Sequence, residues 1–330
     1  MKIASQRQRL RPYSERALST GVRTTRARVG FTLVELLLSM TVSMVIITSA
    51  TGFALTSWQS RRGWTIREAI DRNARFVGMS LARDAQEAGI GIESTPVFAS
   101  VAGFGDTLSI LTVPYDPTES PVYSIYDDGG ASPDYPSGGN CGATCIEFNK
   151  SGGTYVLAAG DMARLQVGTE RRLLLLTNVV DNGTRFQVHF APQNWLLGRQ
   201  SALSDSLLLS RSGSSIQKLK VTLYYFDAST QTILRADRFT ASGQPIGAVL
   251  ATNVSSWQAS LTFVGGTVQQ SYDGFDADTT NNGNQIIGVK LRANLKADRV
   301  DPGVNSGQLV SRRYEWNVAP RNLLYEKNRL

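Results

Sequence analysis

The first hundred residues contain two helical patterns of different character. Residues 36–60 have no charged side chain, and Arg61 and Arg62 end this uncharged run. As an α-helix its 25 positions would extend about 37 Å, which exceeds the ~30 Å hydrocarbon core of a bilayer. The pattern therefore predicts a helix over residues 31–60 that is hydrophobic on all sides and long enough to span a membrane.

The helical period continues beyond residue 60 but becomes amphipathic. Apolar residues recur at spacings of three and four, and charged positions such as Asp71 and Glu87 fall mostly off this stripe. Gly89 follows the last apolar position and predicts the C-terminal end of the helix. We therefore predict that residues 61–90 continue the helix and pack one face on the rest of the protein. The apolar stripe consists of Ile66, Ile70, Val77, Leu81, Ala85 and Ala88.

Beyond residue 91 the helical period gives way to short alternating runs that turn residues separate. Residues 114–153 are rich in Pro, Gly, Ser and Asp and predict a long loop. The pattern predicts an α+β fold, with the helix packed on a largely antiparallel, β-rich domain at residues 91–330 that has a candidate division near residue 211. Predicted strands lie at 107–113, 145–148, 154–159, 171–180, 184–191, 218–226, 231–239, 256–264, 286–297 and 312–319.

Charge is distributed unevenly along the chain. The formal net charge of +7 lies entirely in the first 30 residues, which carry eight basic side chains and one acidic one. A basic segment before an apolar run favours a cytoplasmic N-terminus and export of the residues on its C-terminal side. Because the remaining residues are balanced in charge, the body offers no bulk electrostatic case for binding nucleic acid.

The sequence has no recognisable catalytic motif. His189 is the single histidine and alternates within a predicted strand, which favours a structural role. A nucleophile elbow, a Walker-type phosphate loop and a zinc-binding helix motif are all missing from the sequence. We therefore predict that the protein is not an enzyme and holds no resident organic cofactor.

Cys141 and Cys145 are the only two cysteines. Their spacing is not C-x-x-C, which disfavours a thioredoxin-type redox motif. One pair in a long chain is typical of an exported protein with a single disulfide, and two free thiols are the alternative.

Oxygen-bearing side chains cluster in the segment YDGFDADTTNNGN at residues 272–284. Calcium takes six to eight such oxygens from a flexible loop, so the segment is a weak calcium candidate. Its spacing does not match an EF-hand, and a solvated turn between strands is the competing interpretation. The candidate ligands are Asp273, Asp276, Asp278 and Asn282.

Glu35 is the unexpected residue of the apolar segment. An unpaired carboxylate at the centre of a membrane helix would cost about 2.5–3.5 kcal/mol on insertion scales. The residues around it, G-F-T-L-V-E from Gly30 to Glu35, resemble the prepilin processing site of the type IV pilin superfamily. The resemblance implies that a prepilin peptidase cleaves between Gly30 and Phe31, methylates the new amine of Phe31 and removes the basic leader at residues 1–30.

The same resemblance gives Glu35 an expected role. Cleavage creates a cationic amine, and the Glu35 carboxylate could neutralise the amine of a neighbouring subunit as helices stack in a filament. On this interpretation the partner of Glu35 lies outside its own chain. Many pilins have a proline at the position of Gly52, where the helix can locally unwind, and Gly52 could supply that softening instead.

The rest of the chain is similar in layout to PilW-like minor pilins. The similarity lies in NARFVGMSLARDAQEAGIG after the apolar run, and in LKVTLYYFDASTQTILRADRF and PRNLLYEKN near the C-terminus. It implies a pilin-like fold and a structural subunit of a bacterial type IV pilus. The precursor would sit in the inner membrane and the mature subunit in the fimbrium at the cell surface, with other major and minor pilins as partners. Roles in pilus assembly, motility, adhesion or DNA uptake are implications of the family alone.

Two alternatives remain open from the sequence. A J-like pseudopilin of a type II secretion machine would share the processing site. A secreted binding module would instead use an ordinary signal peptide, for which Thr48 and Ala50 offer a cleavage site after Ala50.

Overall fold

The computed structural model divides the chain into two compact units, residues 1–57 and residues 58–330, which we call the N-terminal unit and the body. The residues that the structure describes are 32–92, 95, 98–114, 122–127, 129, 134–135, 139–150, 156–168, 170–191, 194–196, 199–201, 209–210, 213–272, 283–302 and 304–323.

The first element, α1, is one continuous α-helix from Leu33 to Glu87. Gly89 adopts a φ of +80°, in the left-handed region that favours glycine, and its N–H donates to Leu111 O at 3.0 Å. The predicted end of the helix is therefore confirmed. In the body all six residues of the predicted apolar stripe are buried, because the 3.6-residue period places them on one face.

All of the strand pairs are antiparallel among the described residues. The predicted layout of one long apolar N-terminal helix followed by an antiparallel β-rich body is thus confirmed. The strands are β1 Val101–Phe104, β2 Thr107–Thr112, β3 Val122–Ser124, β4 Asp134–Tyr135, β5 Cys145–Asn149, β6 Met162–Val167, β7 Glu170–Asp181, β8 Arg185–Phe190, β9 Asn194–Leu196, β10 Arg199–Ser201, β11 Leu209–Ser210, β12 Ser214–Asp227, β13 Thr232–Phe239, β14 Pro245–Ala251, β15 Val254–Phe263, β16 Val268–Gln269, β17 Ser271–Tyr272, β18 Ile286–Lys296 and β19 Ser311–Val318, with short 3₁₀ turns at Gly283–Gln285 and Asn305–Gly307.

Two sheets form most of the body. The larger has eleven strands along the path β17-β1-β2-β12-β6-β7-β8-β5, with β13, β14 and β3 as branches, and the smaller has the order β16-β15-β18-β19. β12 begins just after residue 211 and pairs with β2 and β6 from before that position, so one sheet continues across it.

The second half of α1 packs into a hydrophobic core that both sheets share. Its stripe lies in one cluster with Leu108 and Tyr224 of the larger sheet and with Leu261 and Leu291 of the smaller one. Two further clusters fill the remaining parts of the larger sheet. The body therefore fixes one face of α1 and leaves the other face exposed.

Nine of the ten predicted strands are present. The prediction at 154–159 is wrong where the structure describes it, because residues 156–158 are irregular and the strand is β6, a few residues later. The predicted loop at 114–153 is interrupted by β3, β4 and β5. Among the described residues the pattern also missed nine other strands, of which β14 is the longest. It contains Pro245 and Gly247 and pairs with β13, at the kind of edge position where proline is tolerated.

Candidate functional site

The part of α1 in the N-terminal unit is an uncovered apolar surface. Its large hydrophobic side chains are all exposed, from Leu33 at 77% to Leu55 at 58%. By length and composition α1 includes a stretch that could cross a membrane, and none of that stretch is buried, unlike the core helix of a soluble protein. It is therefore a candidate membrane anchor or signal sequence.

Polar side chains in this part of α1 are largely satisfied within the helix. Six serine and threonine hydroxyls donate to backbone carbonyls three or four residues earlier, at 2.7–3.0 Å. A lipid or an apolar neighbour therefore needs to supply no partner for them. These residues are Ser39, Thr41, Thr48, Ser49, Thr51 and Thr56.

Glu35 caps the start of α1. Thr32 donates to Glu35 Oε2 through its backbone N–H at 3.2 Å and its hydroxyl at 3.1 Å, and the N–H of Glu35 donates back to Thr32 Oγ1 at 3.3 Å. This reciprocal arrangement is a capping box, and the sequence T-L-V-E carries its S/T-x-x-E signature. Glu35 therefore has a local contact within its own chain, and its expected pairing with the amine of a neighbouring subunit stays a prediction. Its other oxygen, Oε1, accepts no hydrogen bond from a described residue, so it remains open to a second donor.

The other predicted site residues have mixed outcomes. The helix is unbroken at Gly52, and a Cβ there would meet nothing within 4 Å, so its softening role stays a prediction. The disulfide between Cys141 and Cys145 is confirmed, with a Cα–Cα distance of 5.2 Å. His189 on β8 lies beside it, with Nε2 at 3.7 Å from Cys145 Sγ. The processing residues Gly30 and Phe31 lie outside the described residues.

The calcium candidates Asp273, Asp276, Asp278 and Asn282 also lie outside the described residues. Within the described residues, no group of three or more His, Cys, Asp or Glu side chains could hold a metal ion.

Polar contacts that no sequence pattern indicated hold α1 on the body. Asp84 is 3% exposed, and its Oδ2 accepts from the Tyr224 hydroxyl and from Arg235 Nε, both at 2.6 Å. Arg235 Nη2 reaches Oδ1 at 3.2 Å, which makes the ion pair bidentate. We call this group the Asp84 clamp.

The electrostatics of the Asp84 clamp follow from its hydrogen bonds. Burial alone would raise the pKa of Asp84, but the bonds from Arg235 and Tyr224 outweigh it and hold the pKa below the usual 3.8. Burial and the Asp84 carboxylate raise the pKa of Tyr224. Since the carboxyl pKa is depressed in the folded state, the clamp stabilises the body above about pH 3.8, and this contribution is lost as the pH falls further.

A second clamp lies on α1 nearer its middle. Arg312 Nη1 donates to both carboxylate oxygens of Asp71, at 2.8 and 3.0 Å, and the Tyr314 hydroxyl also donates to Oδ1. Burial raises the pKa of Tyr314 to about 12, and the hydrogen bond to the Asp71 carboxylate is the second largest cause of this rise. We call this group the Asp71 clamp. It joins α1 to β19, whereas the Asp84 clamp joins α1 to β12 and β13.

Between the clamps α1 touches the sheet through a glycine. A Cβ at Gly78 would lie 2.6 Å from both Cδ1 and Nε1 of Trp316 on β19. The Trp316 ring stacks on Tyr314, with ring centroids 6.0 Å apart and planes inclined by 14°. Trp316 is thus held against α1 by a residue of the Asp71 clamp, and only glycine fits this approach without movement.

We predict a pH effect from Glu315 on the outer face of the smaller sheet. Its carboxylate accepts from Lys290 at 2.5 Å and Arg292 at 2.8 Å, and these bonds lower its pKa from 4.5 to about 2. A depressed carboxyl pKa stabilises the fold above pH 4.5, and this stabilisation is lost as the pH falls towards 2. We expect Glu315→Gln to flatten the pH dependence of the urea midpoint across this window. A dependence equal to that of the wild type would contradict the prediction.

The candidate functional surface is therefore the exposed apolar part of α1, and the two clamps secure the other part of the same helix to the body. Among the described residues no metal-binding group competes with this surface. No family model, curated protein or solved structure matched this chain in three separate comparisons.

Proposed function

We propose that the chain is a minor pilin, a structural and assembly subunit of a bacterial type IV pilus with a pilin-like fold. The observation that carries the proposal is that the two parts of α1 have different surroundings. One part presents an uncovered apolar surface with internally bonded hydroxyls, and the other part is fixed to a β-rich body by two ion-paired clamps. A subunit that enters a filament through its helix needs both properties.

The sequence at the start of α1 adds a second support. Gly30 and Phe31 resemble a prepilin cleavage site, and Thr32 and Glu35 cap the helix directly after it. Cleavage between Gly30 and Phe31 would leave a short N-terminus before the helix, and the capping contacts between Thr32 and Glu35 would be retained. In the filament, Glu35 Oε1 would accept the amine of the neighbouring subunit while Oε2 keeps its capping contact.

N-terminal mass spectrometry of the mature protein tests the processing step. We expect a chain that begins at a methylated Phe31, because the prepilin peptidase retains the apolar helix. A chain that begins at Thr51 would overturn the proposal and favour a secreted module with an ordinary signal peptide. Processing at Phe31 with normal pili and defective secretion in a deletion strain would favour the type II pseudopilin.

Two substitutions at Glu35 separate its charge from its capping contact. Glu35→Gln retains an acceptor for Thr32 and removes the charge, whereas Glu35→Ala removes both. If the charge pairs with a neighbouring amine, we expect both variants to be cleaved normally and both to be depleted about tenfold or more from sheared filaments.

The matched control is Thr32→Val, which keeps the charge and removes the hydroxyl of the cap. We expect it to be incorporated nearly normally, since loss of an exposed cap costs only about 1 kcal/mol of helix stability. Normal incorporation of Glu35→Gln would show that the cap, and not intersubunit charge pairing, is the role of Glu35.

A further inference from the structure

A basic cavity lies in the body close to the point in the sequence where the uncharged run ends. Its volume is about 350 Å³, and α1 contributes Arg62, Thr65 and Ile66 to its lining. The segment after β18 contributes Arg299 and Val300, together with Asp301 and Pro302. Arg62 and Arg299 are 237 positions apart in the sequence but line the same cavity. Asp301 is the single carboxylate among the lining residues.

Packing between α1 and this segment holds the cavity in place. Ile66 and Val304 are both buried in the core cluster that contains α1. A Cβ at Gly63 would lie 3.9 Å from both methyl carbons of Val304, an ordinary van der Waals contact. The N–H of Val304 donates to Asp301 O at 2.9 Å, which folds the segment into a turn. Arg299 therefore reaches the cavity from a fixed piece of the body.

Two exposed tryptophans lie close in sequence to the α1 residues that line the cavity. Trp58 and Trp64 are 64% and 73% exposed, which is unusual for tryptophan in a soluble protein. The guanidinium carbon of Arg62 lies 4.8 Å from the centre of the Trp58 ring, within the range of a cation–π contact. Exposed tryptophans next to an uncharged helical run are typical of the membrane–water interface.

The arginines also lie on an unexpected side of the uncharged run. The basic excess before residue 31 places the N-terminus in the cytoplasm, so Arg61 and Arg62 emerge on the opposite side, where the positive-inside bias does not favour them. A local anionic partner would explain their presence there. Because Arg61 comes directly after the uncharged run, that partner would be found at the level of the lipid headgroups.

We propose that the cavity between Arg62 and Arg299 binds the phosphate group of an anionic phospholipid when the uncharged run of α1 spans a bilayer. The planar guanidinium group matches phosphate oxygens bidentately. Among the lining residues Arg62 and Arg299 outnumber Asp301, so a lipid with net negative charge is preferred to a zwitterionic one. The proposal requires membrane insertion only, and it is independent of filament assembly.

Native mass spectrometry of the full chain in lipid-doped detergent micelles tests this proposal. The probes are phosphatidylglycerol and phosphatidylcholine with identical acyl chains, and inorganic phosphate without lipid. We expect bound phosphatidylglycerol on the wild type and an approximately tenfold weaker retention on the double variant Arg62→Gln/Arg299→Gln. Arg75→Gln/Arg238→Gln removes the same charge from two exposed arginines elsewhere on the body and should retain the lipid.

Three results would overturn the proposal. Equal retention of phosphatidylglycerol and phosphatidylcholine by the wild type would show that the site does not select for anionic lipid. Equal loss in the two double variants would indicate diffuse charge attraction. Tight binding of inorganic phosphate alone would indicate a free-anion site. Because these experiments involve no pili, a defect in filament assembly cannot produce any of the three.

Discussion

Replacing Asp84 with alanine is expected to lower the free energy of unfolding of the body by about 3–5 kcal/mol. Asp84 accepts from Tyr224 and Arg235 in a region where Asp84 is 3% and Arg235 15% exposed. Removing the carboxylate leaves a hydroxyl without its acceptor and a guanidinium that keeps its contact from Nη1 to Asp237 at 3.0 Å. The cost is that of a largely buried charge that has lost its bidentate partner, which exceeds the net contribution of the intact pair.

Urea unfolding of the full chain in detergent, monitored by tryptophan fluorescence, measures this change. The matched control is Glu68→Gln, which breaks the Glu68–Arg72 pair on the exposed face of the same helix, where the side chains are 71% and 77% exposed. We expect the control to cost no more than about 0.5 kcal/mol. An Asp84→Ala variant as stable as the control would mean that the clamp contributes only surface electrostatics.

Gly78→Ala is expected to destabilise the body by about 1–3 kcal/mol, although alanine is the better helix former. The new Cβ would lie 2.6 Å from two atoms of the Trp316 ring, a separation that real Cβ atoms essentially never show. The Trp316 side chain cannot move away freely, because it stacks on Tyr314 and the Tyr314 hydroxyl is hydrogen-bonded to Asp71. The overlap should therefore outweigh the gain of about 1 kcal/mol in helix propensity.

Gly63→Ala provides the matched control in the same helix. Its Cβ would lie 3.9 Å from Val304, so only the propensity gain should remain, and we expect a stabilisation of up to about 1 kcal/mol. Combining Gly78→Ala with Trp316→Leu should recover part of the loss, since the smaller side chain makes room. The decisive result is a change in the free energy of unfolding that has opposite signs for Gly78→Ala and Gly63→Ala. The same sign at both would refute a steric role for Trp316.

The sequence predicted the features that depend on local periodicity. The stripe from Ile66 to Ala88 and the end of α1 just before Gly89 were predicted correctly, because a helix of 3.6 residues per turn displays its buried face in the sequence. Nine strands were found by their alternation and their flanking turn residues. β14 was missed because its proline and glycine are tolerated only at an edge, which the sequence does not reveal.

The clamps could not be predicted by the same means. Asp71 and Asp84 occupy positions that look solvated, and their partners lie 140–243 residues away. Only the tertiary fold brings Tyr224, Arg235 and Arg312 to α1. Glu35 is a different case, because T-L-V-E carries the signal for its capping contact within four consecutive residues. The capping contact could therefore have been predicted from the sequence, but Glu35 was assigned only an intersubunit role.

The spacing of the two clamps gives the body a mechanical property. Asp71 and Asp84 are 13 positions apart, which corresponds to about 20 Å along α1. The clamps engage different strands, β19 for Asp71, and β12 and β13 for Asp84. A tension applied to α1 along its axis would therefore load both clamps in shear at the same time, so neither bears the whole force. The body should therefore resist being pulled off α1 better than its thermal stability alone would suggest.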